Sequence, residues 1–505
     1  MKRNKKPKHP WQDKLILKIR EDREPREIKE EGFDENIFRQ EIEPWLTALF
    51  QSEYLSLLTG AGLSTAAHYL STGKPGAGMS SIEFSEFKKQ IEQKATESAE
   101  NSGRITANIE DQIRIANELI RGLEIFICSE GPECEPGIVE LDIDELDIVE
   151  PDIDELDIVE PDLDELDIIE PDLDELDIVE PDIDKSDTEE LESKSYFIKI
   201  DSKRTKLVME LKAGINKFAE DILESERNIV CTTDNKAVET LMSFLMSFAS
   251  RSATRERLNI FTTNYDRVIE FGAELAGMHL IDRFQGTISP IFRASRLKLD
   301  IHYNPPGIRG EPRYLEGVCY ITKLHGSIDW IYKDGYVRRI ALPYGATDIS
   351  KYSEEGDVLM IYPNSSKDRE TSEYPYVELF RDFAASVCRP NSTLVVYGYS
   401  FGDEHINRVV SDMLSIPSTH LVIISYDDNS GRVHRFYEKV KRPAQITLLI
   451  GKKFGDLETL VKNYLPKSAI DRTSIRMAEL LKARGWDTQS NHKVEPIKEE
   501  ENNEL

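Results

Sequence analysis

Two hydrophobic patterns divide the chain. Compact apolar runs recur at Tyr54–Leu58, Asn259–Thr262, Val318–Leu324, Val358–Tyr362, Thr393–Tyr397, His420–Ser425 and Ile446–Ile450. Several lack polar alternation, as strands do when both faces of a parallel sheet are covered. Before, between and after them lie stretches with helical spacing: 37–51, "TTNYDRVIEFGAELAG", "GDEHINRVVSDMLS" and "FGDLETLVKNYL". Strand-and-helix alternation of this kind predicts an α/β fold, a doubly wound, Rossmann-like and mostly parallel sheet. Residues 80–127 and 203–250 are helical in pattern and almost free of strand signal, with "AVETLMSFLMSFA" the most apolar of their helices. They predict a helical lobe, about 80–130 and 195–252, inserted after the first strand–helix unit. Residues 1–36 are charged and read as a mobile segment with helical stretches. Residues 466–485 read as a helix leading into a charged tail that runs to 505.

One segment follows neither pattern. "DELDIVEPDI" and three close variants repeat every ten residues, with prolines at 151, 161, 171 and 181. A proline in each decamer forbids a continuous helix, and the carboxylates oppose compaction. The D-x-D spacing suggests calcium, but the repeats have no glycine for the sharp turn of an EF-hand loop. The expectation is a solvated, disordered acidic insertion over about 138–190, within a catalytic domain of 37–465.

The insertion also explains the charge. The 505-residue chain has a formal net charge of −30, and residues 140–190 hold 26 Asp/Glu and one Lys, leaving −5 for the rest. No overall basic bias toward nucleic acid remains. The five cysteines, Cys128, Cys134, Cys231, Cys319 and Cys388, form no C-x-x-C pair, so neither a zinc ribbon nor a disulfide framework is indicated. No apolar h-region follows the basic N-terminus, and no run of 18 apolar residues occurs; a cytoplasmic protein without a membrane span is expected.

Ligands of open α/β sheets bind outside the carboxyl ends of the strands. Four sequences stand there: "GAGLS" after 54–58, "TTNYD" after 259–262, "KLHGSIDW" after 318–324 and "YGYSFGDEHIN" after 393–397. Each has an ordinary structural reading. Gly60 and Gly62 suit a tight turn as well as a phosphate cradle. Asn264 and Asp266 suit helix capping, as does Asp403. His325 suits a turn, and Gly398, Ser400 and Gly402 another. Together they bring glycines, an amide, a carboxylate and a histidine to one sheet edge.

In that order the four resemble the sirtuins. "GAGLS" at 60–64 resembles GAG-[IL]-S, "TTNYD" at 262–266 resembles T-Q-N-I-D, "LHGS" at 324–327 is similar to the catalytic His-Gly, and "GYSF" at 398–401 stands where sirtuins carry G-T-S-L. The wording is most similar to sirtuin-like proteins of bacterial antiviral defence. The resemblance covers roughly 45–100 and 255–465 and implies NAD as the substrate. It implies that Gly60, Ala61, Gly62 and Ser64 line the pyrophosphate and ribose, that Asn264 contacts the nicotinamide ribose side, that Asp266 holds the carboxamide and that Thr263 belongs to the cofactor-binding set. His325 would act as base, and Gly398 and Ser400 would hold the adenosine ribose and phosphates. Asn264 and His325 would be catalytic.

The departures narrow the activity. The zinc ribbon of deacylating sirtuins is missing, so no zinc is expected. "TAAHYL" replaces G-I-P-D-F-R after the first loop; within it, His68 has two readings, entry into the pocket and a helix-surface position, of which the second is expected. An NAD+ glycohydrolase is therefore expected, a regulated effector of anti-phage defence, with water as acceptor. An NAD-dependent deacylase, an ADP-ribosyltransferase and a non-catalytic NAD or ADP-ribose-binding module are the alternatives. A homo-oligomer is expected, with activation by a separate protein of the HerA-type ATPase or Argonaute-like kind.

Overall fold

The computed structural model describes residues 9–20, 22–74, 76, 81–101, 107–130, 185–231, 235–251, 255–294, 299–303, 313–349, 358–361 and 374–467. The acidic decamers, Cys134 and nearly all of the expected C-terminal helix lie outside these residues.

A nine-stranded sheet organises the molecule. Its strands are β1 (Leu15–Lys18), β2 (Arg26–Ile28), β3 (Tyr54–Thr59), β4 (Leu258–Thr262), β5 (His279–Ile281), β6 (Val318–Lys323), β7 (Ser392–Tyr397), β8 (His420–Ser425) and β9 (Ile446–Ile450), in the order β2-β1-β9-β8-β7-β3-β4-β6-β5. From β9 to β5 every pairing is parallel. The six strands β6-β4-β3-β7-β8-β9 have the 3-2-1-4-5-6 order of a dinucleotide-binding sheet. The Rossmann-like α/β expectation therefore holds.

The all-apolar strands are explained by what covers them. Along β7, Val395 and Tyr397 point into one core while Leu394 and Val396 point into the other. The first core is completed by α1 (Glu35–Phe50), α2 (Ala61–Thr72), α6 (Lys236–Ala249) and α7 (Val268–Leu275); the second by α8 (Tyr376–Val387), α9 (Glu404–Met413) and α10 (Arg432–Val440). In α6, Leu241, Phe244, Leu245 and Phe248 form one buried stripe, at the spacing of a core-facing helix.

Two expectations are corrected. Residues within 1–36, read as mobile with helical stretches, contain β1 and β2. β1 pairs antiparallel with β9, Ile16 opposite Ile450, and buries all four of its residues. Its apolar core is only three residues long between charged neighbours, too short to register as a pattern, and pairing across the chain creates it. The run at 358 does form a strand, Val358–Ile361, but in a second, five-stranded sheet. There it pairs antiparallel with Gly326–Lys333, which also pairs with Tyr336–Arg339.

Helices do occupy the stretches read as helical, as α3 (Lys88–Asn101), α4 (Ile109–Glu130), α5 (Lys185–Val230) and α6, and α6 packs into the core of the sheet. The chain divides into two compact units: Met1–Ala116 with Glu210–Leu505, and Asn117–Met209. In the larger unit, Ser98 donates to Asp111 at 2.9 Å, joining α3 to the start of α4. In the smaller, Arg204 pairs with Glu124 at 3.0 Å, and the Phe126 and Phe197 rings lie 5.8 Å apart. No described helix is long and apolar enough to cross a membrane.

Candidate functional site

The loop after β3 and the turn after β7 touch backbone to backbone. The Gly62 amide donates to Gly398 O at 3.0 Å and the Gly60 amide to Tyr397 O at 3.2 Å. A Cβ on Gly60 would stand 2.7 Å from Gly398 O, and one on Gly62 2.6 Å from Gly398 Cα. Gly398 itself has φ +65°, a conformation side chains disfavour. The glycines of both motifs thus allow two loops to meet. The same packing brings the start of α2 to the cavity, and α2 begins without a side-chain cap; with Gly62 N spent on Gly398 O and Leu63 N on Gly60 O, the first-turn amide left for a ligand is that of Ala61, which lines the cavity.

Asn264 and Asp266 have separate partners. The Asn264 side chain, 6% exposed, donates to Gly60 O at 3.1 Å and to Ser64 Oγ at 2.9 Å. It locks the loop after β4 to the loop after β3 and does not cap α7. Nor does Asp266 occupy the cap position, which is Arg267; its Oδ1 accepts from Val268 N at 3.1 Å in an Asx turn just ahead of the helix.

His325 marks the junction of the two sheets. Leu324 N still donates to Thr262 O, continuing the parallel ladder. Gly326, at φ +90°, then turns the chain into the second sheet. The imidazole is 8% exposed, and its Nε2 lies 2.9 Å from Asp403 Oδ2. The other oxygen of Asp403 caps α9, accepting from His405 N at 2.8 Å and Ile406 N at 3.3 Å. Burial pulls the His325 pKa down, but the hydrogen bond and charge of Asp403, helped by Glu110, carry it above its usual value. Burial pushes Asp403 up, and the His325 contact outweighs it, leaving that carboxyl below its usual value. Tyr265 lies beside the histidine, ring centres 6.4 Å apart, with its hydroxyl 3.4 Å from Glu110 Oε1.

These groups surround one cavity of about 750 Å³ at the carboxyl ends of β3, β4, β7 and β8. That is within the roughly 300–1,000 Å³ of cofactor-sized sites. Gly60, Ala61, Gly62, Ser64, Thr263, Asn264, Asp266, His325, Gly398 and Ser400 all line it. α5 supplies a wall that includes Phe218 and Ile222. Its end is fastened by fully buried Glu226, which pairs with Arg267 at 2.7 Å and accepts from Gly345 N at 3.1 Å.

The sequence reading missed three participants. Asp403 was visible only as a helix cap, and its second oxygen reaches a residue 78 positions away. Glu110 arrives from a helix with no motif. His68, expected on a helix surface, is 6% exposed and lines the cavity, its Nδ1 3.2 Å from Lys74 O. The turn after Gly73 folds that carbonyl back over the ring.

Residues 258–442 match the model of the SIR2-like domain. The match spans β4 to α10 and includes Asn264, His325, Gly398 and Asp403; the loop after β3 precedes it. A SIR2-like domain implies NAD binding, and with it NAD-related chemistry in general. No curated protein matches the chain.

Proposed function

We propose that the chain is an NAD+ glycohydrolase, a regulated effector that depletes NAD in bacterial anti-phage defence. The observation that carries this reading is the convergence of Asn264 and a carboxylate-paired His325 on one cavity at the switch point of the sheet. Water attacks C1′ of the nicotinamide ribose, and the C–N bond breaks with its electron pair passing to the nicotinamide nitrogen. The proton of the water goes to His325. Nicotinamide leaves as a neutral molecule, so no acid is required to protonate it, unlike glycoside hydrolysis. The developing oxocarbenium cation is favoured by the negative potential of Asp403 and Glu110. The pyrophosphate meets the start of α2 at the Ala61 amide, because the N-terminus of α9 is filled by Asp403.

Water is the favoured acceptor because the sequence lacks the zinc ribbon of deacylating sirtuins; deacylation, ADP-ribosyl transfer and simple ADP-ribose binding are the competing readings. Zinc has no part in the proposed chemistry. Self-association and a separate HerA-type ATPase or Argonaute-like protein supply activation in this reading. The test is nicotinamide release from NAD by the purified protein, with that partner added and without any peptide substrate. His325→Ala is expected to slow release by about 10²–10⁴, the usual contribution of a positioned base. Asn264→Ala is expected to abolish it, at a cost of about 1–3 kcal/mol for two buried hydrogen bonds. Release at the unmodified rate from His325→Ala would sink the mechanism.

A further inference from the structure

We propose that Asp403 is a positioning residue: it holds the His325 imidazole with its proton on Nε2, so that Nδ1 carries the lone pair that receives the proton of the attacking water. The last clause rests on the glycohydrolase reading; the tautomer does not.

The argument is geometric. A carboxylate only accepts, so at 2.9 Å from Asp403 Oδ2 the Nε2 atom is the donor. A neutral imidazole with its proton on Nε2 has its lone pair on Nδ1. The carboxylate is itself held, because Oδ1 accepts from two amides of the first turn of α9. The carbonyl of Asp403 accepts from the Tyr399 hydroxyl at 3.0 Å. A helix start thus orients the carboxylate, and the carboxylate orients the ring, an arrangement that resembles the histidine–aspartate half of a hydrolase triad. The titratable groups around the ring are Asp403 and His405 from α9, Glu110 from α4 and Tyr265 from the loop after β4, with Tyr376 of α8 near Tyr265. Glu110 acts on the ring by charge; Asp403 is the carboxylate bonded to it.

The competing explanation is that Asp403 only caps α9. Asp403→Asn separates the two, since asparagine caps helices as well as aspartate does. Its amide can donate to Nε2 and move the ring proton to Nδ1. In serine proteases the same change leaves the geometry intact and lowers kcat about 10⁴-fold. Two measurements on the full chain decide the matter. The first is ¹⁵N NMR of labelled histidine, with His325 assigned by its loss in His325→Gln. The Nε2–H form is expected in the unmodified protein, and in Asp403→Asn the Nδ1–H form, titrating at lower pH because the carboxylate charge is gone. The second is steady-state NAD hydrolysis. Asp403→Asn is expected to lower kcat by about 10²–10⁴, with KM changed less than about threefold and the melting temperature lowered by a few degrees at most through loss of the charged pair. An Nδ1–H ring in the unmodified protein, or the same tautomer in both proteins, overturns the proposal, as does an unchanged kcat. If the unmodified protein releases no nicotinamide while the tautomers differ as expected, the glycohydrolase reading fails and the positioning role stands.

Discussion

Asn264 and Asp266 stand two residues apart on one loop and do different things. Sequence alone offers both as caps, because Asn and Asp share that preference. The structure puts Asp266 in an Asx turn ahead of α7, whose cap position is Arg267, and turns Asn264 onto the Gly60 carbonyl and Ser64. That choice depends on a loop two hundred residues away, so no local pattern could reveal it. His325 was legible as a residue at a strand end, but its charge state was not, since that depends on Asp403. The pair has opposite consequences for stability and activity. The His325 pKa is raised above its ordinary 6.5. Its stabilising contribution is therefore complete below that value and is lost as pH rises through the folded pKa. The Asp403 pKa is lowered below 3.8; its contribution is present above that value and lost as pH falls through the folded one. The pair should stabilise most between roughly pH 4 and 6.5. A base must be neutral to accept a proton, so kcat/KM should instead rise with pH through the His325 pKa, above 6.5. Melting temperature and kcat/KM across pH 5–9, with His325→Gln as reference, test both signs. An activity maximum on the acid side would remove His325 as the base.

Among elements, the buried parallel strands were the most readable. β7, β8 and β9 are apolar runs because helices cover both faces, and their predicted limits lie within a residue of the observed ones. An apolar run does not say which sheet it joins. Val358–Ile361 resembles these strands in sequence and pairs elsewhere, because its partner Gly326–Lys333 is created by the turn at Gly326. The two glycine-bearing turns were also visible, but the reason for their glycines was not. A cradle for phosphate and a close backbone contact demand the same residue, and here the contact with Gly398 explains Gly60 and Gly62 directly. Gly62→Ala should therefore force the two loops apart, costing about 1–3 kcal/mol as overpacking does. ADP-ribose affinity should fall at least about tenfold, a loss of about 1.4 kcal/mol. Gly73→Ala is the control. Gly73 ends α2 at φ +69° with open space where its Cβ would be, so alanine costs about 1–2 kcal/mol in backbone strain alone. Its affinity should stay within about twofold of the unmodified protein by calorimetry. Equal losses in the two variants would mean that the contact between the loops does not shape the cavity.

For the whole molecule, the cavity is assembled from segments widely separated in sequence, and every residue that lines it belongs to the larger unit. The acidic decamers follow α4 and precede α5, and the residues of both helices nearest them in sequence belong to the smaller unit. Every cavity residue named above is supplied by segments other than the repeats. Electrostatics points the same way. Two unit charges in contact in water interact by about 1 kcal/mol, and the interaction between exposed charges fades beyond about 8 Å at physiological salt. A run of carboxylates beside a site for a pyrophosphate would oppose binding. A long connection elsewhere costs little, because loop-closure entropy rises only about 0.6 kcal/mol per doubling of length. Replacing residues 141–184 with a short Gly/Ser linker should then leave kcat and KM for NAD within about twofold, a change worth only about 0.4 kcal/mol. The melting temperature should stay within a few degrees, the shift that about 1 kcal/mol produces. The sign of any small change is also fixed: with less negative charge on the molecule, KM should fall rather than rise, and the difference should vanish at 1 M salt, where the screening length is about 3 Å. A collapse of activity in the shortened protein, without partner or crowding, would mean that the repeats pack against the catalytic unit and that their charge belongs to the site.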